Sequence, residues 1–204
     1  MRRKFGVLFM FLGVTLLIGA AALFLNNKQE DAEAGKSVSE VLPQLQVAIP
    51  EEPDHEALNE ELIPADLMTP EQAKMTEVEI DGLLYIGYLS IPSLELDLPV
   101  LSEWSYDLLQ KAPCRYLGSS KTDDLVLMAH NYDKHFGRLM KIETGESVYF
   151  TDMDGIVTGY EVIARDVLVP TAVEEVGSGA FDLTLFTCTY GGQSRVTVYC
   201  DRIS

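Results

Sequence analysis

The sequence predicts a mainly β domain, a closed barrel or a sandwich, set behind an apolar segment and an acidic connector. Three observations carry this prediction. Composition changes abruptly along the 204 residues: positions 2–4 are all basic, 5–25 carry no charge, and 26–78 hold 13 acids against 3 bases together with five of the nine prolines. From about residue 83 onward, short apolar runs recur, broken by Pro, Gly, Ser and Asp, which is the pattern of strands and turns. Few stretches in that region show helical spacing, and many short strands with few helices favour barrel or sandwich closure.

The elements follow in order. Met1, Arg2, Arg3 and Lys4 form a basic N-terminus (residues 1–4). Phe5–Leu25 is 21 residues, apolar or small throughout. At about 1.5 Å per residue it crosses a hydrocarbon layer of about 30 Å. Basic residues precede it and acids follow, so the positive-inside rule places the N-terminus in the cytoplasm and the rest of the chain outside. A cleaved signal peptide competes with this reading, because Gly19-Ala20-Ala21-Ala22 supplies small residues near a cleavage point. The apolar run continues through Leu23-Phe24-Leu25, beyond a usual signal core, and favours a retained anchor. Residues 26–78 read as a stalk. Its acids repel one another, and Pro43, Pro50, Pro53, Pro64 and Pro70 are expected to interrupt any long helix, leaving room for a short amphipathic one over Pro70–Val78. His55 reads as a solvated linker histidine.

Residues 79–204 form the folded domain. Leu84–Ile91 and Leu94–Val100 are strands separated by the break Pro92-Ser93, and Trp104–Lys111 is a short helix. Asp124–His130 is an apolar strand ending on a histidine, and Phe136–Ile142 has helical spacing. Glu146–Thr151 and Gly155–Val169 flank the turn Asp152-Met153-Asp154-Gly155. Asp182–Thr187 and Arg195–Ile203 are the last strands, joined through Tyr190-Gly191-Gly192-Gln193. Along the final strand, alternation puts Val196, Val198 and Cys200 on the core face and Arg195, Thr197, Tyr199 and Asp201 on the other.

The net charge of −17 excludes a phosphate-backbone partner, since the domain itself carries 19 acids against 9 bases with no basic cluster. Three cysteines make no disulfide framework, and no Cys-x-x-Cys or His/Cys grouping suggests zinc. Cys200 reads as core; Cys114 precedes Arg115 in an expected loop and reads as core or partly exposed.

The informative stretch is Thr184-Leu185-Phe186-Thr187-Cys188. A thiol at a strand end, just before a Gly-rich loop, becomes a useful nucleophile when an imidazole or a cation raises its thiolate fraction. His130 closes one strand and Arg195 opens another, so both partner types are present. Taken alone, a strand cysteine is more simply a small core residue. The combination is what carries weight. Thr-Leu-x-Thr-Cys followed by Arg195 resembles the signature of the sortase family. Met128-Ala129-His130-Asn131 resembles the strand end bearing that family's catalytic histidine, with Ala129 in a place often held by glycine. Tyr85-Ile86-Gly87-Tyr88-Leu89-Ser90-Ile91-Pro92 resembles its opening strand, so the resemblance spans roughly residues 79–204.

The resemblance implies a closed sortase-type β-barrel of about eight strands and a membrane-anchored, extracytoplasmic cysteine transpeptidase of the Gram-positive type of cell surface. Carried over by position, Cys188 attacks a Leu-Pro-x-Thr-Gly-like sorting signal of a surface protein, His130 exchanges protons, and Arg195 holds the carbonyl or oxyanion. A cell-wall precursor amine then resolves the thioacyl intermediate. Thr187 is a substrate-contact candidate or a structural strand threonine. His135 is the rival catalytic histidine. Some sortases bind calcium through loop carboxylates, and Asp123, Asp124, Asp152, Asp154, Glu174 and Glu175 fall in expected loops; solvated turn acids are the simpler reading, and no cofactor is required. With the chain ending on its last strand and no lid motif upstream, wall anchoring is expected over pilin polymerisation. Two rivals come from other classes. A cysteine phosphatase needs five residues between Cys and Arg, whereas six separate Cys188 from Arg195. A non-catalytic binding domain on a stalk would keep its activity without the Cys188 thiol.

Overall fold

The computed structural model describes residues 2–51, 67–171 and 180–203. His55, Pro53, Pro64, Glu174 and Glu175 lie outside the described residues.

Helix α1 (Arg2–Ala48) opens the chain and runs 47 residues, through the apolar segment and on into the acidic one. It is long and apolar enough to cross a membrane, and Phe9, Phe11, Leu17, Leu23 and Leu25 project from it uncovered. The expected interruption at Pro43 does not occur: Pro43 lies inside the helix. Tertiary packing is the reason. Ala34, Val41 and Leu45 are buried, and Val38 and Ile49 pack beside them, a stripe at helical spacing laid on the domain. A proline inside a helix costs about 3 kcal/mol, and burying a Val or Leu returns about 1.5–3 kcal/mol each, so docking wins. Pro43 itself is exposed, where water can take up the carbonyl freed by its missing N–H. Residues 70–73 form a single turn in place of the expected short helix, with the Ala73 N–H donating to the Thr69 carbonyl at 3.0 Å.

The strands are β1 (Val78–Ile80), β2 (Leu83–Ile91), β3 (Leu96–Leu101), β4 (Cys114–Leu117), β5 (Leu125–Ala129), β6 (Ser147–Asp152), β7 (Val157–Leu168), β8 (Leu183–Cys188) and β9 (Arg195–Arg202). A short helix α2 (Tyr106–Leu109) is capped by Ser105, whose side chain accepts from the Leu108 N–H, and 3-10 turns form at Pro92–Leu94 and Phe136–Lys141. Strand order is β1-β2-β3-β4-β5-β8-β9-β7-β6, and β6 pairs back onto β2. Strands β2 to β9 therefore close an eight-stranded barrel, with β1 added beside the start of β2, as the expected fold requires.

Closure turns on Gly87. It sits at a bulge in β2 with φ of 143°, and a Cβ there would lie 2.1 Å from the Thr151 carbonyl oxygen of β6. Only glycine lets the two backbones meet. The interior is filled by alternate residues, among them Leu125, Leu127, Leu183, Leu185, Val196 and Val198. Cys200 joins them as expected, and Cys114 is fully buried in β4, a strand that stands where a loop was expected.

The four described turn acids each have protein partners. Asp152 is buried, and its carboxylate accepts from the Asp154 and Ile156 N–H groups at 3.0 and 2.9 Å. Asp154 pairs with Lys121 at 3.3 Å, Asp123 pairs with Arg202 at 3.1 Å, and Asp124 accepts from the Ser119 N–H at 2.9 Å. These carboxylates fasten turns to strands.

Candidate active site

Strand direction assembles the site. Strands β5 and β8 run parallel, with Ala129 opposite Thr187; β8 and β9 run antiparallel, with Cys188 opposite Arg195. The residue after β5, the last residue of β8 and the first of β9 therefore share one rim of the barrel. Those residues are His130, Cys188 and Arg195. Parity decides the face. Leu127 and Ala129, Leu183 and Leu185, Val196 and Val198 point into the barrel core, so His130, Cys188 and Arg195 stand on the outer wall. The three side chains face outward beside the rim.

They line one cavity of about 300 Å³, with Thr187, Met128, Phe186 and Trp104 also on its walls. An aromatic series borders it: Trp104 packs on Tyr106 and Tyr116, with centroids 6.0 and 5.9 Å apart, and Tyr116 packs edge-on against Phe186 at 5.3 Å. The floor beside Cys188 is thus apolar and suited to aliphatic side chains of a peptide. The sequence reading missed this wall. Phe186 was visible as the variable position of Thr-Leu-x-Thr-Cys, but Tyr116 belongs to the unexpected β4.

Thr187 is buried and its hydroxyl donates to the Ala129 carbonyl at 2.8 Å. It ties β8 to β5 one residue before His130. The β8–β9 loop closes on itself: the Thr189 N–H donates to the Ser194 carbonyl at 2.9 Å, and the Gly192 N–H to the Thr189 carbonyl at 2.9 Å. Those amides are spent inside the turn, which is unlike a phosphate cradle. Arg195 Nη1 donates to the Gly192 and Ser194 carbonyls at 3.3 and 3.2 Å, holding the guanidinium on the rim.

Three thiols are present and unpaired, and burial separates them. Cys114 and Cys200 are pushed up to about 12 chiefly by burial, so both stay protonated. Cys188 is the half-buried one. Burial lowers the His130 pKa, and the Glu30 carboxylate works against that shift. His135, the rival, is fully buried, and neither of its ring nitrogens meets a hydrogen-bond partner at good geometry, the Lys111 main chain offering only a weak one. Burial first, then the neighbouring His130, lowers it to about 4. His135 is not among the residues lining the Cys188 cavity. Among the described residues no three His, Cys, Asp or Glu side chains group as a metal site would.

Comparison with known proteins bears on the family and the fold. Residues 89–203 match the family model described as the sortase domain. Sortase C1 from Streptococcus suis is 33% identical, with a TM-score of 0.50 over 59% of this chain and 73% of that one. Sortase C from Streptococcus pneumoniae, described for its catalysis and pilin substrate specificity, is 25% identical, with a TM-score of 0.60 over 81% of this chain and 97% of that one. Sortase C from Clostridium perfringens, solved with the C-terminal cell wall sorting motif, shares the fold at 21% identity, with a TM-score of 0.58 over 83% of this chain and 98% of that one. No curated protein matches the chain.

Proposed function

The chain belongs to the sortase family of cysteine transpeptidases, and from that premise we propose that it cleaves a Leu-Pro-x-Thr-Gly-like sorting signal and joins the new carboxyl end to a cell-wall amine. The observation that carries this reading is the meeting of His130, Cys188 and Arg195 at one rim and one cavity. The Cys188 thiolate attacks the signal's Thr carbonyl carbon. Arg195 donates hydrogen bonds to the oxyanion that forms, a task suited to a fixed, planar charge. The Thr–Gly bond breaks as His130 gives a proton to the leaving amine. This leaves a thioester between Cys188 and the signal's Thr. An accepting amine, losing its proton to His130, then displaces the thiolate and forms a new amide. The apolar wall from Trp104 to Phe186 suits the Leu and Pro of the signal, and Thr187 lines the same cavity.

A second reading has its own support. The likeness to the pneumococcal sortase C, a protein described for pilin specificity, favours a pilin lysine as the accepting amine. In both readings α1 holds the domain outside the membrane with its N-terminus inside, supported by its length, its apolar surface and the flanking charges.

The test is mass spectrometry and turnover on a fluorogenic Leu-Pro-x-Thr-Gly peptide, with wall-type amines and lysine peptides as competing acceptors. The wild type should show an acyl adduct on Cys188, and Cys188→Ala should show neither adduct nor turnover. Arg195→Lys should lose about 100-fold or more in kcat with the fold intact, a loss typical of a missing oxyanion donor. Retained turnover in Cys188→Ala would sink the assignment.

A further inference from the structure

Helix α1 reaches the site. Its polar continuation lies against the loop between His130 and His135, and the two enclose a cleft of about 690 Å³ bordered by Lys28, Glu30, Asp31, His130 and Tyr132. His130 is the residue of the triad that also lines the Cys188 cavity and this cleft.

The contacts across the cleft are specific. Asn26 Nδ2 donates to Glu30 Oε1 at 2.7 Å, one helical turn apart, and fixes the carboxylate. Its other oxygen, Oε2, accepts a long hydrogen bond of 3.4 Å from the Tyr132 hydroxyl. The Tyr132 ring leans on His130, with centroids 4.9 Å apart and planes at 38°, and on His135 at 5.6 Å. Next along the helix, Asp31 Oδ1 accepts from the Lys134 N–H at 3.0 Å. The loop is tight beneath Tyr132: its carbonyl accepts from the His135 and Gly137 N–H groups at 3.0 and 2.8 Å. A Cβ on Gly137 would sit 2.6 Å from that oxygen, so the loop depends on glycine there. A rigid loop, a stacked ring and an oriented carboxylate thus stand in line behind the imidazole.

We infer that Glu30 is a positioning residue of the transfer reaction, holding the His130 ring through Tyr132 and setting its charge from the anchor helix. This rests on His130 being the proton-transfer group. The titratable and charged groups around His130 are Lys28, Glu30 and Asp31 from α1; Tyr132, Asp133 and His135 from its loop; Tyr106 and Tyr116 on the far wall of the Cys188 cavity; Cys188 from β8; Tyr190 from the β8–β9 loop; and Arg195 from β9. Asp133 is occupied by Arg138 at 2.8 Å. Among these, Glu30 carries the charge that opposes burial and favours the imidazolium. The anchor helix is therefore part of the active site as well as its tether.

The experiment uses the full chain in detergent micelles, with histidine rings 13C-labelled and the His130 signal assigned by its loss in His130→Gln. Wild type, Glu30→Gln and Glu30→Asp are titrated by NMR, and pH–rate profiles are measured on the same samples. Glu30→Gln should lower the His130 midpoint, move the matching limb of the profile to lower pH, and reduce kcat about fivefold, the size of a partly exposed charge contact, with KM for the peptide unchanged. Glu30→Asp should keep both midpoints nearer the wild type, because the charge remains. An NMR midpoint in Glu30→Gln equal to the wild type overturns the inference. An NMR midpoint that moves while the rate limb stays put instead overturns the catalytic role of His130.

Discussion

Acid should destabilise this domain through His135 in particular. The side chain is fully buried without a good hydrogen-bond partner, and its pKa is lowered to about 4 by that burial. A histidine whose folded pKa lies below its unfolded value binds fewer protons folded than unfolded, so stability is lost as pH falls. The window runs from the ordinary value near 6.5 down to about 4. Each pKa unit of difference is worth about 1.4 kcal/mol, so the loss reaches roughly 2–3 kcal/mol by about pH 4.5. Carboxylates contribute to acid sensitivity as well, so the measurement must be a difference. His135→Phe removes the titration, leaves no donor or acceptor unpaired, and keeps a ring beside Tyr132. Urea unfolding of both proteins at pH 7 and pH 4.5 gives the comparison. The phenylalanine side chain is slightly larger, and any packing cost of about 1 kcal/mol applies at both pH values and cancels. The variant should lose about 2–3 kcal/mol less than the wild type between the two pH values. Equal losses, within about 0.5 kcal/mol, would refute the argument that burial holds this ring neutral. The same variant should retain turnover at pH 7 within about threefold, since the ring stands outside the Cys188 cavity; a collapse of kcat in a well-folded His135→Phe would return it to contention with His130.

Two further outcomes are expected. Replacing Cys114 and Cys200 together by Ala should leave thiol-dependent turnover in place while lowering stability by about 1–3 kcal/mol, because both thiols are buried and packed in the core; a specific loss of acyl-adduct formation in the folded double variant would contradict the assignment of Cys188 as nucleophile. N-terminal sequencing of the mature protein should begin at or near residue 1; a start near residue 23 would replace the anchor with a cleaved leader.

The barrel and the three candidate residues at its rim were readable because they depend on local rules. Alternation marks strands wherever one face is buried, and turn residues mark their ends. His130, Cys188 and Arg195 each sit at a strand boundary, where a side chain leaves the packed wall, and the motif around Cys188 carried the family. Other features had no local signature of comparable strength. The stripe Ala34, Val38, Val41, Leu45 and Ile49 has helical spacing, yet acids and Pro43 lie across it, and propensity alone argued for a broken stalk. Strand β4 is four residues long and pairs with β3 through a single position, Leu101 opposite Cys114, too little for periodicity to register.

By itself the sequence determined the apolar segment and a β domain behind it, and singled out one thiol, one imidazole and one guanidinium as candidates, because those properties reside in residue type and in spacing along the chain. Tertiary structure decided the rest. Which barrel face carries the site follows from closure of β6 onto β2, since parity names two faces and only the enclosed core says which is inside. Whether α1 ends in the connector or docks beside His130 was a contest between a proline's local cost and the burial of Val41 and Leu45 against a surface that exists only once the barrel has formed. Asp123 and Asp154 became fasteners for the same reason: their partners, Arg202 and Lys121, are brought to them from positions distant in sequence.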